Sequence, residues 1–185
     1  YCYYNNANEC SIRSKVVPFD GAGWDVTSDL TEDTIWDMEL SPIRIVPPSG
    51  QDYINTGDFD LTIDAGVEVQ IMSGKGLAIT GPCSTLTVTG NATHPVKFTN
   101  LGATRAKGVA FTNGGCTSAN TDERHTIEHA NFENMDIAIS AGSKHGNSPH
   151  YNGNVGNFSM SDVAFTNVSK AIAHGSGGGT NIAMT

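Results

Sequence analysis

The sequence predicts an all-β chain, a coil of short stacked strands, and three observations carry that prediction. Gly76-Leu77-Ala78-Ile79-Thr80-Gly81-Pro82-Cys83 returns as Gly108-Val109-Ala110-Phe111-Thr112-Asn113-Gly114-Gly115-Cys116. Weaker copies follow at Ile137-Ala138-Ile139-Ser140 and Lys170-Ala171-Ile172-Ala173, with apolar residues at alternate positions, the period of a strand. In phase with this element, Val96-Lys97-Phe98-Thr99-Asn100 returns as Ala130-Asn131-Phe132-Glu133-Asn134 and Val163-Ala164-Phe165-Thr166-Asn167, so the phenylalanines stand 132 − 98 = 34 and 165 − 132 = 33 residues apart. A period of that size means stacked supersecondary units. Composition agrees: 16% charged residues is low against roughly 25% in ordinary domains, and 21 glycines in 185 residues exceed the usual roughly 7%, which implies many tight turns.

Residues 1–57 carry no copy of the repeat. Trp24 and Trp36 need burial, while Pro42, Pro47 and Pro48 make the segment irregular, so it is expected to be an N-terminal cap over the apolar end of the coil. Within it, Thr27 to Trp36 is expected to hold one short helix. From Asp58 the alternation is regular. Leu61 and Ile63 alternate with Asp60, Thr62 and Asp64, then Val67, Val69 and Ile71 alternate with Glu68 and Gln70, with Ala65-Gly66 as the corner. The units run over 58–81, 82–115, 116–146 and 147–178, and 58–185 form the coil. Leu77, Ile79, Val109, Phe111, Ile137, Ile139 and Ile172 are expected to line one interior row.

The four cysteines pair by the same logic. Cys83 and Cys116 follow equivalent elements, so they sit on neighbouring turns about 4.8 Å apart, within disulfide reach. Cys2 and Cys10 then pair by exclusion. Reduced thiols or zinc ligands are the alternatives, but no Cys-x-x-Cys spacing supports zinc. Disulfides imply an oxidising compartment, extracellular or at a cell surface.

The run Asp60-Leu61-Thr62-Ile63-Asp64-Ala65-Gly66-Val67-Glu68-Val69, followed by Gly76-Leu77-Ala78-Ile79-Thr80-Gly81 and the Val-x-Phe-Thr-Asn elements, resembles right-handed parallel β-helix proteins of the pectate-lyase-like superfold. More particularly it looks like the non-catalytic repeats of secreted surface proteins, over about residues 58–178. The resemblance implies a right-handed β-solenoid, and the units counted above give it about four coils. It also implies an Asn ladder, for which Asn100, Asn134 and Asn167 stand in place. One fold hosts many functions, so the likeness speaks to architecture.

Charge narrows the partners. A formal net charge of −9 opposes binding to nucleic acid, which rests on Lys and Arg neutralising phosphates, and to anionic membranes. No apolar run approaches the roughly 18 residues of a membrane span, so membrane insertion is not expected. The chain opens on Tyr1, without a basic-then-apolar leader, and reads as a processed or excised segment.

For chemistry, enzymes of the resembling superfold use clustered carboxylates, calcium and an Arg or Lys base. Asp58, Asp60 and Asp64 share one strand face with Thr62 and are the candidate calcium ligands, the one cofactor considered; a solvated outer face is the plainer reading. Arg105 and Lys107 form a basic pair with no carboxylate tied to them by the register. His125-Thr126-Ile127-Glu128-His129 matches a zinc-peptidase pattern that requires a helix, whereas the flanking repeat says strand, which separates the histidines by about 13 Å. The polar insertion 143–154 places Tyr151 between polar groups with His145 and His150, a candidate glycan-stacking set set against a plain solvated loop. Asn91-Ala92-Thr93, Asn157-Phe158-Ser159 and Asn167-Val168-Ser169 match the N-glycosylation acceptor.

Two functions compete: a secreted structural or adhesive module, polysaccharide being a candidate partner, and a polysaccharide lyase or hydrolase. The absence of an assembled acid and base favours the first. Asn181-Ile182-Ala183-Met184-Thr185 resembles Asn157-Phe158-Ser159-Met160-Ser161, so the chain reaches the first strand of a fifth unit. Asn181, Ile182, Ala183 and Met184 are therefore expected to assemble head to tail with a second copy, giving a homo-oligomer or filament.

Overall fold

Short alternating runs broken by Gly, Pro, Asn and Asp offer no helical face long enough to bury, and the described residues form short strands joined by turns, with one 3-10 turn. The structure is a computed structural model describing residues 2–4, 10–12, 23–81, 84–112, 124–141, 157–174 and 182–184. Its strands are β1 (Cys2–Tyr4), β2 (Cys10–Ile12), β3 (Trp24–Val26), β4 (Thr34–Trp36), β5 (Ile43–Ile45), β6 (Tyr53–Asn55), β7 (Leu61–Asp64), β8 (Glu68–Met72) and β9 (Gly76–Ile79). They continue as β10 (Leu86–Thr89), β11 (Val96–Leu101), β12 (Gly108–Phe111), β13 (Arg124–Glu133), β14 (Ile137–Ala141), β15 (Asn157–Thr166), β16 (Lys170–His174) and β17 (Ile182–Met184).

The β1–β2 pair is antiparallel, and the remaining pairings are parallel. Three stacks result. The first stacks β4, β7, β10, β13, β15 and β17; the second stacks β3, β5, β8, β11 and the later halves of β13 and β15; the third stacks β6, β9, β12, β14 and β16. In β13 and β15 a single left-handed residue, His129 (φ 46) or Asp162 (φ 53), turns the corner between the first two stacks, so each strand runs through it unbroken. The chain is a parallel β-solenoid, with about four turns as the repeat predicted.

The solenoid begins earlier than expected. Thr34-Ile35-Trp36 pairs in register with Leu61-Thr62-Ile63, Ile43-Arg44-Ile45 with Val69-Gln70-Ile71, and Tyr53-Ile54-Asn55 with Gly76-Leu77-Ala78. The cap assigned to 1–57 therefore contains a rung of its own from Thr34 onward. It escapes sequence recognition because three-residue strands joined by Pro-rich turns carry the alternation on one or two residues each. The helix expected over Thr27–Trp36 is absent as well: β-branched Thr34 and Ile35 enter a strand, and a 3-10 turn at Met38–Leu40, capped by Asp37 Oδ1 on the Glu39 amide at 3.0 Å, follows it.

Inside, side chains stack by column. Trp36, Ile63, Val88, Ile127 and Met160 align in the first stack, and Trp24, Ile43, Val69, Phe98, Phe132 and Phe165 in the second. Phe98 and Phe132 lie parallel with ring centroids 4.5 Å apart. In the third stack Leu77, Val109, Ile139 and Ile172 form one interior column, and Ile79 pairs with Phe111, as expected. Ile137 does not belong there: it aligns with Lys170 at the mouth of the strand, because Val109 pairs with Ile139. Gly76 and Gly108 open their strands for steric reasons. A Cβ at Gly76 would stand 2.4 Å from the Tyr53 ring, and at Gly108 (φ 79) it would stand 2.0 Å from the Ile137 carbonyl oxygen.

Candidate functional site

Acidic side chains are used as stitches between rungs. Asp29 Oδ1 accepts from the Asn55 backbone amide (2.8 Å) and Nδ2 (2.9 Å), and Asp33 Oδ1 from the Asp60 amide (3.0 Å). Asp60 Oδ1 in turn accepts from the Thr85 amide (2.8 Å) and hydroxyl (2.9 Å). Charged acceptors of this kind are stronger than neutral ones and satisfy amides at strand entries. The candidate calcium set is thus not assembled. Asp60 is committed to Thr85, and among the described residues no group of three His, Cys, Asp or Glu side chains converges on one point. The alternation expected of them does not reach Asp58, which lies in a turn ahead of the strand that begins at Leu61.

The basic pair behaves differently from its sequence reading. Lys107 Nζ stands 2.7 Å from Asp52 Oδ2 and 5.6 Å from the Tyr53 ring centre, while Lys75 Nζ stands 3.2 Å from Asp52 Oδ1 and donates to the Gln51 carbonyl at 2.6 Å. A carboxylate is therefore tied to Lys107, supplied by the rung that sequence reading had left in the cap. Hydrogen bonds from Lys107 and then Lys75 hold the exposed Asp52 carboxyl below its ordinary range. That direction suits a fixed ion pair and disfavours a proton donor. Arg105 spans rungs too, donating to Asn167 Oδ1 at 2.8 Å and to Ser169 Oγ.

Of the expected Asn ladder, one step is present: Asn167 Nδ2 donates to Asn134 Oδ1 at 2.6 Å. Both residues take left-handed conformations (φ 52 and 58), which Asn tolerates better than most residues. Asn100 stands outside the ladder. Its strand continues to Leu101, and Asn100 Nδ2 bonds instead to the carbonyls of Gly102 (2.7 Å) and Thr104 (3.0 Å) within its own turn.

The His125–His129 pattern lies on β13, a strand as expected. His125 is buried in the column of Leu61 and Leu86, its ring 4.6 Å from Phe111, and its Nδ1 accepts the Leu86 amide at 3.1 Å. Burial lowers its pKa to about 4. His129 sits at the corner with Nε2 3.6 Å from Asp162 Oδ2. One histidine is core and the other is surface, so they share no metal.

Outward, the first stack carries a register-aligned line of hydroxyls, Thr62, Thr87, Thr126 and Ser159, that the sequence reading did not single out. The signal was a hydroxyl residue standing directly before Ile63, Val88, Ile127 and Met160. At the far end, β17 pairs with β15 through Phe158↔Ile182, Ser159↔Ala183 and Met160↔Met184, the alignment expected of a fifth unit. Cys83, Cys116, His145, His150, Tyr151 and Asn181 lie outside the described residues. Cys2 and Cys10 occupy diagonal positions in the β1–β2 register, opposite Ile12 and Tyr4.

Compared with protein-family models, curated proteins and solved structures, the chain finds no match in any of the three. By architecture it belongs to the parallel β-solenoid class of repeat proteins. Function must therefore be argued from its own surface.

Proposed function

We propose that the chain is a secreted or cell-surface structural module that works through its outer faces and by end-to-end stacking with a second copy. The supporting observation is the last rung. Val163, Phe165 and Ile172 are only partly buried, whereas their column neighbours Ala130, Phe132 and Ile139 are buried to within 1% exposure. Among the described residues β16 is the last strand of the third stack, bonded to β14 on one side. An apolar cross-section beside a strand edge accepts one more rung in parallel register, and a second copy can provide it. The ion pairs and stitches described above leave Asp52, Asp60, Arg105 and Lys107 in structural use, which supports a scaffold over a lyase. Adhesion to polysaccharide through the outer faces belongs to the same reading.

Light scattering and electron microscopy at neutral pH over a range of concentrations test it. Expected are end-to-end particles that dissociate when Ile172→Lys places a charge on the last rung, and that persist when Thr126→Lys places one on the lateral face. A monodisperse monomer at every concentration overturns the assembly. Steady release of unsaturated product from acidic polysaccharide with calcium, read by ultraviolet absorbance, overturns the non-catalytic reading.

A further inference from the structure

The corner between the first and second strands of a rung needs very little chain. His129 and Asp162 each turn it alone, and between β7 and β8 residues 65–67 turn it with three. Between β10 and β11 the same corner takes residues 90–95, and Asn91, Ala92, Thr93 and His94 on this insertion are all exposed. The insertion is ordered by its own bonds. The Asn91 and His94 amides donate to each other's carbonyls at 3.3 and 3.2 Å, and the Gly66 amide of the preceding rung donates to the His94 carbonyl at 3.0 Å.

At its tip the Asn91 side-chain oxygen is held by donors of its own turn. Oδ1 accepts from the Thr93 amide (3.0 Å), the Thr93 hydroxyl (2.8 Å) and the His94 amide (2.9 Å). A carboxamide nitrogen is a poor nucleophile because its lone pair is delocalised into the carbonyl. Three donors on the oxygen stabilise negative charge there, which makes the Nδ2 protons more acidic and eases loss of one as the nitrogen attacks. No described residue accepts a hydrogen bond from Nδ2.

We propose that Asn91 Nδ2 is an N-glycosylation acceptor, taking a glycan from a lipid-diphosphate-linked oligosaccharide on a membrane oligosaccharyl transferase. The new bond joins Nδ2 to the anomeric carbon. The bond from that carbon to the phosphate oxygen breaks, the lipid diphosphate leaves with the electron pair, and Nδ2 releases one proton; nothing is oxidised or reduced. The hydroxyl at the third position of Asn91-Ala92-Thr93 is part of the acceptor pattern, and here it already contacts the amide it serves.

The other two matches to the pattern are occupied. Asn167 Nδ2 is committed to Asn134, its Oδ1 to Arg105, and Ser169 Oγ to Arg105 as well. Asn157 opens β15, where the main chain pairs with Arg124 and the next residue, Phe158, with both His125 and Ile182. A paired strand cannot enter a transferase groove without leaving its sheet. The inserted corner can be reached with the solenoid intact.

The inference uses the export proposed above only for where the reaction takes place, so the test is made with purified components. The full folded chain is incubated with a purified oligosaccharyl transferase, its lipid-linked donor and a divalent cation, beside a short acceptor peptide as control, and tryptic peptides are mapped by mass spectrometry. The expected result is glycan on the peptide containing Asn91, reduced in Thr93→Ser and lost in Thr93→Val, with Thr93→Val keeping the far-ultraviolet spectrum of the parent. An unmodified Asn91 beside a modified control peptide overturns the proposal. So does modification directed to Asn157 or Asn167 in preference. Failure of end-to-end stacking would leave this result untouched.

Discussion

The two ends of the solenoid are finished differently. In the first rung Trp36, Ile43, Ile45 and Ile54 are each 0% exposed, although their strands stand at or near the edge of the stack. Among the described residues the corresponding columns end on Phe165 and Ile172, both partly exposed, and at the other end only Trp24, one strand further out, is partly exposed. Phe132 and Phe165 also stack more loosely, at 5.6 Å and 21°, than Phe98 and Phe132 at 4.5 Å and 2°. A column of like residues therefore does not confer uniform stability. In a repeat stack each rung is held by its neighbours, so a rung covered on both sides resists opening and a rung covered on one side does not.

Deleting a ring at each end gives the largest contrast. Trp36→Ala is expected to cost about 3–5 kcal/mol, the usual penalty for emptying a fully enclosed aromatic site. Phe165→Ala is expected to cost about 1–2 kcal/mol, since part of its surface is already wet and less transfer energy is lost. Urea unfolding of both variants provides the comparison, and equal losses would remove the distinction between the ends. Trp36→Phe sharpens it. Trp36 Nε1 is buried with no hydrogen-bond partner among the described residues, and such an orphan donor costs about 1–3 kcal/mol. Losing it offsets much of the lost volume, so Trp36→Phe should fall well below half the cost of Trp36→Ala.

Acid should act between the ends. His125 is neutral in the folded chain, with its pKa lowered from 6.5 to about 4 by burial. The unfolded chain therefore binds the extra proton first, and stability present above pH 6.5 is lost as pH falls from 6.5 towards 4. At about 1.4 kcal/mol per pH unit this amounts to about 3 kcal/mol. Protonation also converts Nδ1 from acceptor to donor, ending its bond with the Leu86 amide. Hydrogen exchange at pH 7 and pH 4.5 is expected to show Leu86 losing protection at the lower pH. In His125→Leu the acid sensitivity should flatten. An unchanged pH profile in that variant would assign the effect to other groups.

The sequence made much of this visible and some of it not, for physical reasons. Interior columns from Leu61 onward were legible because strands of four or more residues show alternation plainly. The rung at Thr34–Asn55 was hidden, since three-residue strands repeat too little to register, and with it went Asp52 as the partner of Lys107. Ile137 was misplaced by one alternation step because the Ala-rich copy fits in two registers. The Asn ladder was half legible: identity of residue type predicted two steps, but a step forms only where the Asn itself turns the corner, as Asn134 and Asn167 do. The three bonds on Asn91 Oδ1 were beyond sequence altogether, because a pattern match does not say which copy is exposed.

The smallest expected effect is the most discriminating. Arg105 lies on the exposed corner of the second unit yet bonds to Asn167 and Ser169 two rungs on, bypassing the rung between. Its removal takes away hydrogen bonds at a solvated surface, so Arg105→Ala should cost about 0.5–1 kcal/mol in global stability. Where that loss is felt depends on how the stack is coupled. If the ends are independent, amide exchange accelerates in β16 and remains unchanged in β6, and Asn167→Gly, which keeps the left-handed backbone while deleting the acceptor, reproduces the pattern without adding to it in the double variant. If exchange rises equally in β6 and β16, the rungs open as one cooperative unit, and the difference in burial between the two ends carries no difference in local stability.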